Sequence, residues 1–318
     1  MKKVLVIVVA YNGMRWLERC LGSVSGADIF VVDNDSTDGS ADFVEKHFPG
    51  ARLIRSAENL GFSKANDLGF EWARRKGYDY VYLLNQDAWL EEGALETLVA
   101  AAEAHPEFAV LSPLQMTDGY QAFDNQFEKV LRGIRFQNRR FATPPVRGLS
   151  GQLQAPPSYD AEGGTGSGSV CLSAPIEIRR VMAAHWLVPV AALEAIGPFE
   201  EGLFPFYGQD DDWCQRARYA GWKVGVVPGA RAVHDRAARQ EPLERTVFRN
   251  YYTGSLVRLA NANRPLWERF CFVCLFTLVK AVRYRSVLPF KYFRQICRQL
   301  PAVRAHRSAI VARGRRTR

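Results

Sequence analysis

Acidic residues next to apolar runs or helical patterns are the groups in this sequence best suited to chemistry. They form three clusters, around Asp33, Asp87 and Asp210. A carboxylate in such a place can hold a divalent cation that bridges nucleotide phosphates, and another can accept a proton from a hydroxyl group. Asp and Asn are also favoured in turns and at helix N-termini, so each cluster alone has a structural explanation. Three clusters at one edge of one sheet favour a site.

The elements that must position these clusters are strands that alternate with helices. Apolar runs predict strands at residues 4–9, 29–32, 51–54, 80–84, 108–111, 176–178, 187–190 and 223–227. Between the first five runs, apolar residues at helical spacing predict connecting helices. Further helices are predicted at 190–196 and 211–220. This alternation predicts an α/β fold with an open, mostly parallel sheet flanked by helices. Ligands of such sheets bind beyond the carboxyl ends of the strands.

Charge divides the chain into two parts. Residues 236–318 contain 19 Lys and Arg and 3 Asp and Glu, a net charge of +16, whereas residues 1–235 have a net charge of −7. We therefore predict a catalytic domain over residues 1–240 and a helical, basic C-terminal extension over 241–318. Within the first domain, a stretch rich in Pro and Gly at 132–170 predicts a long loop excursion.

The extension alternates apolar and basic residues, as helices that bind anionic membrane surfaces do. The alternatives are a helical pair packed on the core and a contact between subunits of a homo-oligomer. Nucleic-acid binding is not expected, because no recognisable binding module accompanies the basic residues. The N-terminus does not resemble a signal peptide, and no uncharged apolar run reaches the ~18 residues of a membrane span. We thus predict a cytoplasmic protein, peripheral on the inner face of the cell membrane.

An ordered set of motifs in this chain resembles the inverting nucleotide-sugar glycosyltransferases of family 2, which have the GT-A fold. Their rhamnosyltransferase-like branch is the most similar. The motifs extend over residues 3–235 and lie at 8–13, 32–40, 59–66, 84–88, 197–199, 209–214, 220–222 and 233–234.

The resemblance implies a nucleotide-sugar donor and Mg²⁺ or Mn²⁺ as cofactor. It implies that Asp87 binds the metal, that His234 completes the metal site and that Asp210 is the catalytic base. It also implies a set of residues around the nucleotide: Ala10, Tyr11, Asn12, Asp33, Asn59, Gly61, Asn66 and Asn85.

The sequence departs from the family pattern in three places. Asn85-Gln86-Asp87 has a single carboxylate, which weakens metal binding unless His234 contributes. Gln209 replaces the usual Glu before Asp210, and Asp211 and Asp212 follow, so the base assignment rests on the register that Cys214 and Arg216 set. His185 and Trp186 stand where relatives carry small residues. We expect His185, Trp186, Gln209 and Asp211 near the acceptor, with a core position as the alternative for Trp186.

These features predict transfer of a sugar by a single in-line displacement that inverts the anomeric carbon. By resemblance, the donor is dTDP-rhamnose or a UDP-sugar, and the acceptor is a saccharide or a lipid-linked sugar in the synthesis of a bacterial surface polysaccharide. One alternative is a nucleotidyltransferase, although the Gly-rich basic loop of that class is missing after the first strand. A second is a non-catalytic carbohydrate- or membrane-docking relative, which the reduced Asn85-Gln86-Asp87 motif suggests. A Rossmann dehydrogenase is excluded, because no G-x-G-x-x-G follows the first strand.

Overall fold

The computed structural model describes residues 2–120, 122–131, 174–205, 207–235 and 242–316. The loop excursion that we predict at 132–170 lies outside the described residues.

Nine strands of the described residues form one sheet, in the order β3-β2-β1-β4-β8-β6-β9-β5, with β7 paired to β9. They are β1 (Val4–Ala10), β2 (Asp28–Asp33), β3 (Arg52–Arg55), β4 (Tyr80–Asn85), β5 (Ala88–Leu90), β6 (Phe108–Met116), β7 (Ile176–Ile178), β8 (His185–Pro189) and β9 (Lys223–His234). Strands β3, β2, β1 and β4 are parallel to one another. Strand β8 runs antiparallel to both β4 and β6, so β6 has the same direction as β4. Strand β9 is parallel to β6 and shares this direction. Six of the nine strands therefore share one direction, and the predicted open, mostly parallel sheet is confirmed.

Helices cover both faces of this sheet and form the C-terminal region. They are α1 (Met14–Gly22), α2 (Ser40–His47), α3 (Gly61–Lys76), α4 (Ala94–Ala104), α5 (residues 125–131), α6 (Val190–Ile196), α7 (Gln209–Tyr219), α8 (Leu243–Val247), α9 (Gly254–Ala260), α10 (Leu266–Tyr284) and α11 (Leu288–Arg316). A π-helical turn, Phe248–Thr253, joins α8 to α9. Side chains alternate between the two faces of each strand, and they fill two separate apolar cores, one on each face.

Strand β9 is longer than the sequence predicts. It continues past the expected end at residue 227 to His234, because its pairing with β6 shifts register between Pro113 and Leu114 and leaves residues 228–230 as a bulge. Beyond the bulge it pairs with β5, a three-residue strand that the sequence analysis missed. This extension brings His234 to the strand end beside Asp87.

The C-terminal helices pack on the domain that carries the sheet. A third apolar core joins Leu203 and Phe204 of that domain to buried residues of the helices, among them Tyr251, Val273 and Ile296. The inner side of α11 is therefore buried. Of the alternatives that the sequence leaves open for the C-terminal extension, this packing matches the helical pair on the core. None of the helices within the described ranges is both long enough and apolar enough to span a membrane.

Candidate active site

The pairing of β5 with β9 places Asp87 and His234 side by side. Ala88 is the register partner of His234, and the N–H of Asp235 donates to the carbonyl oxygen of Asp87 at 2.8 Å. The Asp87 Oδ1 and His234 Nε2 atoms are 3.4 Å apart, and His234 is buried whereas Asp87 is partly exposed. The two residues that the sequence predicts as metal ligands thus meet at one point.

His185 lies behind His234 and holds the end of β9. Its Nδ1 atom is 2.8 Å from the Tyr82 hydroxyl group and its Nε2 atom 3.0 Å from the Val233 carbonyl oxygen, so Nε2–H donates to the carbonyl and Nδ1 accepts from the hydroxyl. Burial, together with the neighbouring His234, lowers the pKa of His185 to about 3, so the ring is neutral. His185 supports the strand on which His234 stands.

The expectation that His185 and Trp186 face the acceptor is not met, because both side chains are fully buried. Trp186 packs against Trp213, with ring centroids 5.6 Å apart, and against Phe199 at 6.2 Å. The core position that we kept open for Trp186 is the one observed. Alternation along β8 turns His185 and Trp186 toward opposite apolar layers, so neither reaches the solvent.

A cleft of about 280 Å³ opens at the carboxyl ends of β1 and β4. Six of the predicted site residues line it: Tyr11, Asn59, Gly61, Asn66, Asn85 and Asp87. Asn34 lines it too, and its side-chain amide donates to Asn59 Oδ1 at 3.0 Å while its Oδ1 accepts from the Leu60 N–H at 2.8 Å. The cleft lies where ligands bind in open α/β sheets.

Gln86 fixes one wall of this cleft. Its side-chain oxygen accepts from the Tyr11 N–H at 2.7 Å, and its amide nitrogen donates to the Tyr11 carbonyl oxygen at 3.1 Å. A Cβ atom at Gly13 would overlap the end of the Gln86 side chain, so a larger residue there would displace Gln86 from this position. Gln86 thus holds the loop after β1. Its place in the motif could have revealed this residue, but the sequence analysis assigned it no role.

Asp33, at the end of β2, has a buried oxygen atom without a protein partner. Its Oδ2 atom accepts from the Ser36 N–H at 3.1 Å, but Oδ1 has no hydrogen-bond partner among the described residues. The next residue, Asn34, lines the cleft. A buried carboxylate oxygen that lacks a donor is costly, and an N–H group of a ligand would satisfy it.

Ala10 and Asn12 belong to the loop beside Asp33. Ala10 is buried and its carbonyl oxygen accepts from the Asn34 N–H at 2.8 Å. Asn12 adopts a φ of 48°, and its side-chain oxygen accepts from the Thr37 N–H at 2.9 Å. Neither residue is among those that line the cleft: Ala10 contacts Asn34 through its backbone, and Asn12 contacts Thr37 through its side chain.

Asp210, Asp211 and Asp212 lie in the first turn of α7, and their carboxylates have different surroundings. Arg180 Nη1 contacts both Asp211 oxygens, at 2.7 and 2.6 Å. Asp212 accepts from Arg216 Nε at 2.8 Å and lies 2.9 Å from His306 Nε2. The side-chain ion pairs of the triplet in the described residues thus belong to Asp211 and Asp212.

Asp210 is the member of the triplet whose carboxylate has a raised pKa. Its Oδ1 atom accepts from the Asp211 N–H at 2.8 Å. Burial, reinforced by the Asp211 charge, raises the pKa of Asp210 to about 6, although the Arg180 cation acts in the opposite direction. Such a carboxylate is charged at neutral pH and binds a proton more strongly than an ordinary one. No sequence signal identified Arg180, which is distant from the triplet along the chain.

The segment that leads into α7 contacts the helix that lines the cleft. Pro205 lies next to Gly61, Glu201 pairs with Lys64 at 3.2 Å, and the Phe199 and Phe62 rings are 5.6 Å apart. Gln209, the residue before Asp210, is buried, and its side-chain oxygen has no hydrogen-bond partner among the described residues. The entrance to α7 is therefore anchored beside the cleft, while the convergence of Asp210 with Asp33 and Asp87 on one ligand stays a prediction.

Asp87 and His234 fit a divalent cation that is shared with a ligand. Adjacent ligands of an octahedral ion at about 2.1 Å lie about 3 Å apart, which is close to the 3.4 Å between Asp87 Oδ1 and His234 Nε2. The described ranges contain no group of three or more His, Cys, Asp or Glu residues that could hold a metal ion. The protein would thus supply two ligands, and the remaining positions suit phosphate oxygens or water.

Comparisons with known proteins bear on the family and the fold of this chain. Residues 5–154 match the model of glycosyl transferase family 2, a stretch that includes Asp33 and Asp87 and ends before Asp210 and His234. The N-acetylglucosaminyl-diphospho-decaprenol L-rhamnosyltransferase of Mycobacterium tuberculosis is 28% identical over 257 residues, which are 73% of this chain and 76% of the relative.

Two solved structures share the fold. TarS of S. aureus, as residues 1–349, has a TM-score of 0.51 and 15% identity, over 84% of this chain and 68% of that one. GalNAc-T7, crystallised with UDP, GalNAc and Mn²⁺, has a TM-score of 0.53 and 12% identity, over 95% of this chain and 58% of that one. At these identities the likeness concerns the fold alone, and the expected glycosyltransferase architecture is confirmed.

Proposed function

We propose that the chain transfers a sugar from a pyrimidine nucleoside diphosphate to a lipid-linked acceptor, since residues 5–154 match the model of glycosyl transferase family 2. The observation that carries the proposal is the buried Asp33 Oδ1 atom, which lacks a hydrogen-bond donor among the described residues. Asp33 directly precedes Asn34, which lines the cleft together with Asp87. Thymine and uracil both carry a ring N–H group that can donate to this oxygen. Cytosine has no such group.

In the proposed reaction Asp210 is the base. The acceptor hydroxyl oxygen attacks the anomeric carbon and its proton passes to the Asp210 carboxylate, while the bond from that carbon to the diphosphate oxygen breaks. The electron pair of that bond leaves with the nucleoside diphosphate. One attack from the far side inverts the anomeric carbon. The raised pKa of Asp210 supports this role, since it improves the carboxylate as a proton acceptor at neutral pH.

Asp87 and His234 are the residues that we propose for Mg²⁺ or Mn²⁺. When bound, the cation supplies positive charge that offsets the charge of the leaving diphosphate. Asn85 and Gln86 orient this region by different means, since Asn85 lines the cleft and Gln86 holds the Tyr11 backbone. Tyr82 and His185 keep β9, and with it His234, in place.

The named activity of the mycobacterial relative supports a rhamnose donor and a polyprenyl diphosphate acceptor that carries N-acetylglucosamine. We propose dTDP-rhamnose as the first donor to test and UDP-sugars as the second. A lipid-linked acceptor would place the protein at the inner face of the cell membrane, in the synthesis of a surface polysaccharide.

A thermal-shift panel with Mn²⁺ tests the donor. We expect dTDP, UDP and their sugars to raise the melting temperature and CDP to have much less effect, because the contact that we propose for Asp33 is with the N3–H group of thymine or uracil, which cytosine lacks. Slow Mn²⁺-dependent release of the nucleoside diphosphate from the best sugar donor should follow. Stabilisation by CDP equal to that by dTDP would overturn the base contact. Donor binding without any release would instead support the non-catalytic relative.

A further inference from the structure

Helix α10 has an apolar face that points away from the protein. Its inner side packs in the C-terminal core through Val273 and Thr277, which are buried. The opposite side carries four large apolar residues: Leu275, Leu278 and Val282 are three or four positions apart, and Trp267 lies two helical turns before Leu275. Their exposed fractions are high: Trp267 70%, Leu275 62%, Leu278 55% and Val282 79%. Within the described residues this face, which we call the outer face, has no covering element.

The outer face continues beyond the end of α10. Val287 is 78% exposed and Phe290, at the start of α11, is 45% exposed. The α10 part of this stripe lies on a helix of 19 residues, which at about 1.5 Å per residue is about 28 Å long. A stripe of this length exceeds the scattered apolar residues found on ordinary protein surfaces.

The segment that carries the outer face is rich in positive charge. Residues 261–298 contain eight Lys and Arg and a single acidic residue, Glu268. Arg283 and Arg294 are exposed, and Lys280 lies over the rings of Phe276 and Tyr284 at 4.9 and 5.3 Å. An apolar stripe with basic borders complements an anionic lipid surface, with its apolar side chains at the acyl boundary and its cations among the headgroups.

The flank of this face lies near the Asp210 cluster. The Arg258 guanidinium lies 4.5 Å from the centre of the Phe272 ring, and Phe272 is 40% exposed beside the face. Burial lowers the pKa of Arg258, and so do the nearby cations Arg269 and Arg180. Arg180 pairs with Asp211, whose N–H donates to Asp210. Few side chains therefore separate the outer face from the proposed base.

We propose that the outer face of α10, continued by Val287 and Phe290, lies in the interface of an anionic membrane and sets the Asp210 side of the site toward that membrane. The lipid contact thus belongs to α10 and the start of α11, whereas the Tyr292 and Ile296 side chains further along α11 are buried in the protein. Delivery of a lipid-linked acceptor rests on the proposed function, whereas vesicle binding does not.

Co-sedimentation of the full chain with vesicles tests this face. The vesicles are either an equal mixture of phosphatidylglycerol and phosphatidylcholine or phosphatidylcholine alone. We expect binding to the mixture, much weaker binding to the neutral vesicles, and a strong decrease as salt rises to about 1 M. Leu275→Glu and Leu278→Glu should each lower the partition coefficient roughly tenfold. Arg283→Gln and Arg294→Gln should each lower it roughly fivefold.

The matched control is Leu68→Glu, since Leu68 is 42% exposed on α3, outside the outer face. It should bind vesicles as the unmodified chain does. Bromolipids should quench a part of the tryptophan fluorescence, and Trp267→Phe should remove that part. All variants should keep the thermal shift with dTDP or UDP, so a failure of the donor proposal is seen separately.

Equal binding of the unmodified chain to both vesicle types, or unchanged binding of Leu275→Glu, would overturn the proposal. So would a dimer by light scattering that Leu275→Glu converts to a monomer, because the outer face would then be a contact between two copies of the chain.

Discussion

At the scale of single residues, the ion pairs of the acidic triplet decide which carboxylate is left to act as a base. Arg180 neutralises Asp211, and Arg216 with His306 neutralises Asp212. Asp210 instead accepts a backbone N–H, and its pKa is raised to about 6 by burial and by the neighbouring Asp211 charge. Adjacent residues of one type thus differ through the partners that the fold supplies.

The pH dependence of donor turnover should follow the Asp210 carboxylate. The base acts only when it is deprotonated, so kcat should be constant well above pH about 6 and fall about tenfold per pH unit below it. Arg180→Gln should move this acid limb to higher pH, because the Arg180 cation lowers the pKa of Asp210. An acid limb near pH about 4 in the unmodified chain would mean that an ordinary exposed carboxylate is the base.

The metal role is tested by Asp87→Ala. Removal of the carboxylate should lower the affinity for Mn²⁺ by at least about tenfold and abolish the Mn²⁺ dependence of dTDP binding, measured by calorimetric titration. His234→Ala should also lower the affinity for Mn²⁺. The control is Asp42→Ala, since Asp42 is exposed on α2 and pairs with Arg55 at 2.8 Å. Identical Mn²⁺ titrations of Asp87→Ala and the unmodified chain would contradict the assignment.

At the scale of elements, α11 is fastened to the catalytic part by polar contacts that the sequence did not reveal. His306 lies 2.9 Å from Asp212 and 3.2 Å from Glu200. Burial by itself would lower the pKa of His306, but the hydrogen bonds to the two carboxylates outweigh it and raise the pKa to about 9. Arg307 and Arg313 donate to carbonyl oxygens of Leu259 and Ile196. Protonated His306 therefore bridges α11 and the α7 cluster.

This bridge predicts a pH-dependent stability. Because the folded-state pKa of His306 is raised, its contribution is complete below pH about 6.5 and is lost as the pH rises through about 9. His306→Gln should lower the free energy of unfolding by roughly 2 kcal/mol and the melting temperature by about 5 °C at pH about 6. The difference from the unmodified chain should vanish near pH about 10. His105→Gln, on partly exposed His105, is the control, and an equal loss at every pH would exclude the charged bridge.

The first four strands were predictable, and the end of β9 was not, for a physical reason. Residues 4–9, 29–32 and 80–84 are continuous apolar runs, which buried parallel strands require. Residues 88–90 are too few to show a period of their own, and Pro228-Gly229 resembles a strand break. Residues 88–90 and the end of β9 are strands because they pair with distant parts of the chain. A local sequence pattern does not encode such pairing.

The site was predictable in part for the same reason. Asp87 and the asparagines of the cleft stand in recognisable motifs after strands, and the structure places them together. His185 and Trp186 follow no such motif, and only the position of β8 in the middle of the sheet explains their burial. The Arg180 and His306 partners of the acidic triplet were not predictable, because each comes from another element.

At the scale of the whole molecule, the uneven charge of the sequence corresponds to a division of roles. The sheet and its cleft lie in the part with a net negative charge, and the basic extension packs on that part through Leu203 and Phe204. The boundary near residue 240 stays a prediction. In the proposed account the cleft binds the donor, α7 supplies the base, and α10 turns both toward the membrane that holds the acceptor.

The central claim is that Asp210 is the base of a transferase that uses the donor bound beside Asp33 and Asp87. The most direct measurement is transfer of labelled rhamnose from dTDP-rhamnose to a polyprenyl diphosphate that carries N-acetylglucosamine, with the unmodified chain and Asp210→Asn side by side. We predict transfer by the unmodified chain, at least about a thousandfold slower transfer by Asp210→Asn, and equal affinity of both for dTDP. Near-normal transfer by Asp210→Asn would contradict the account.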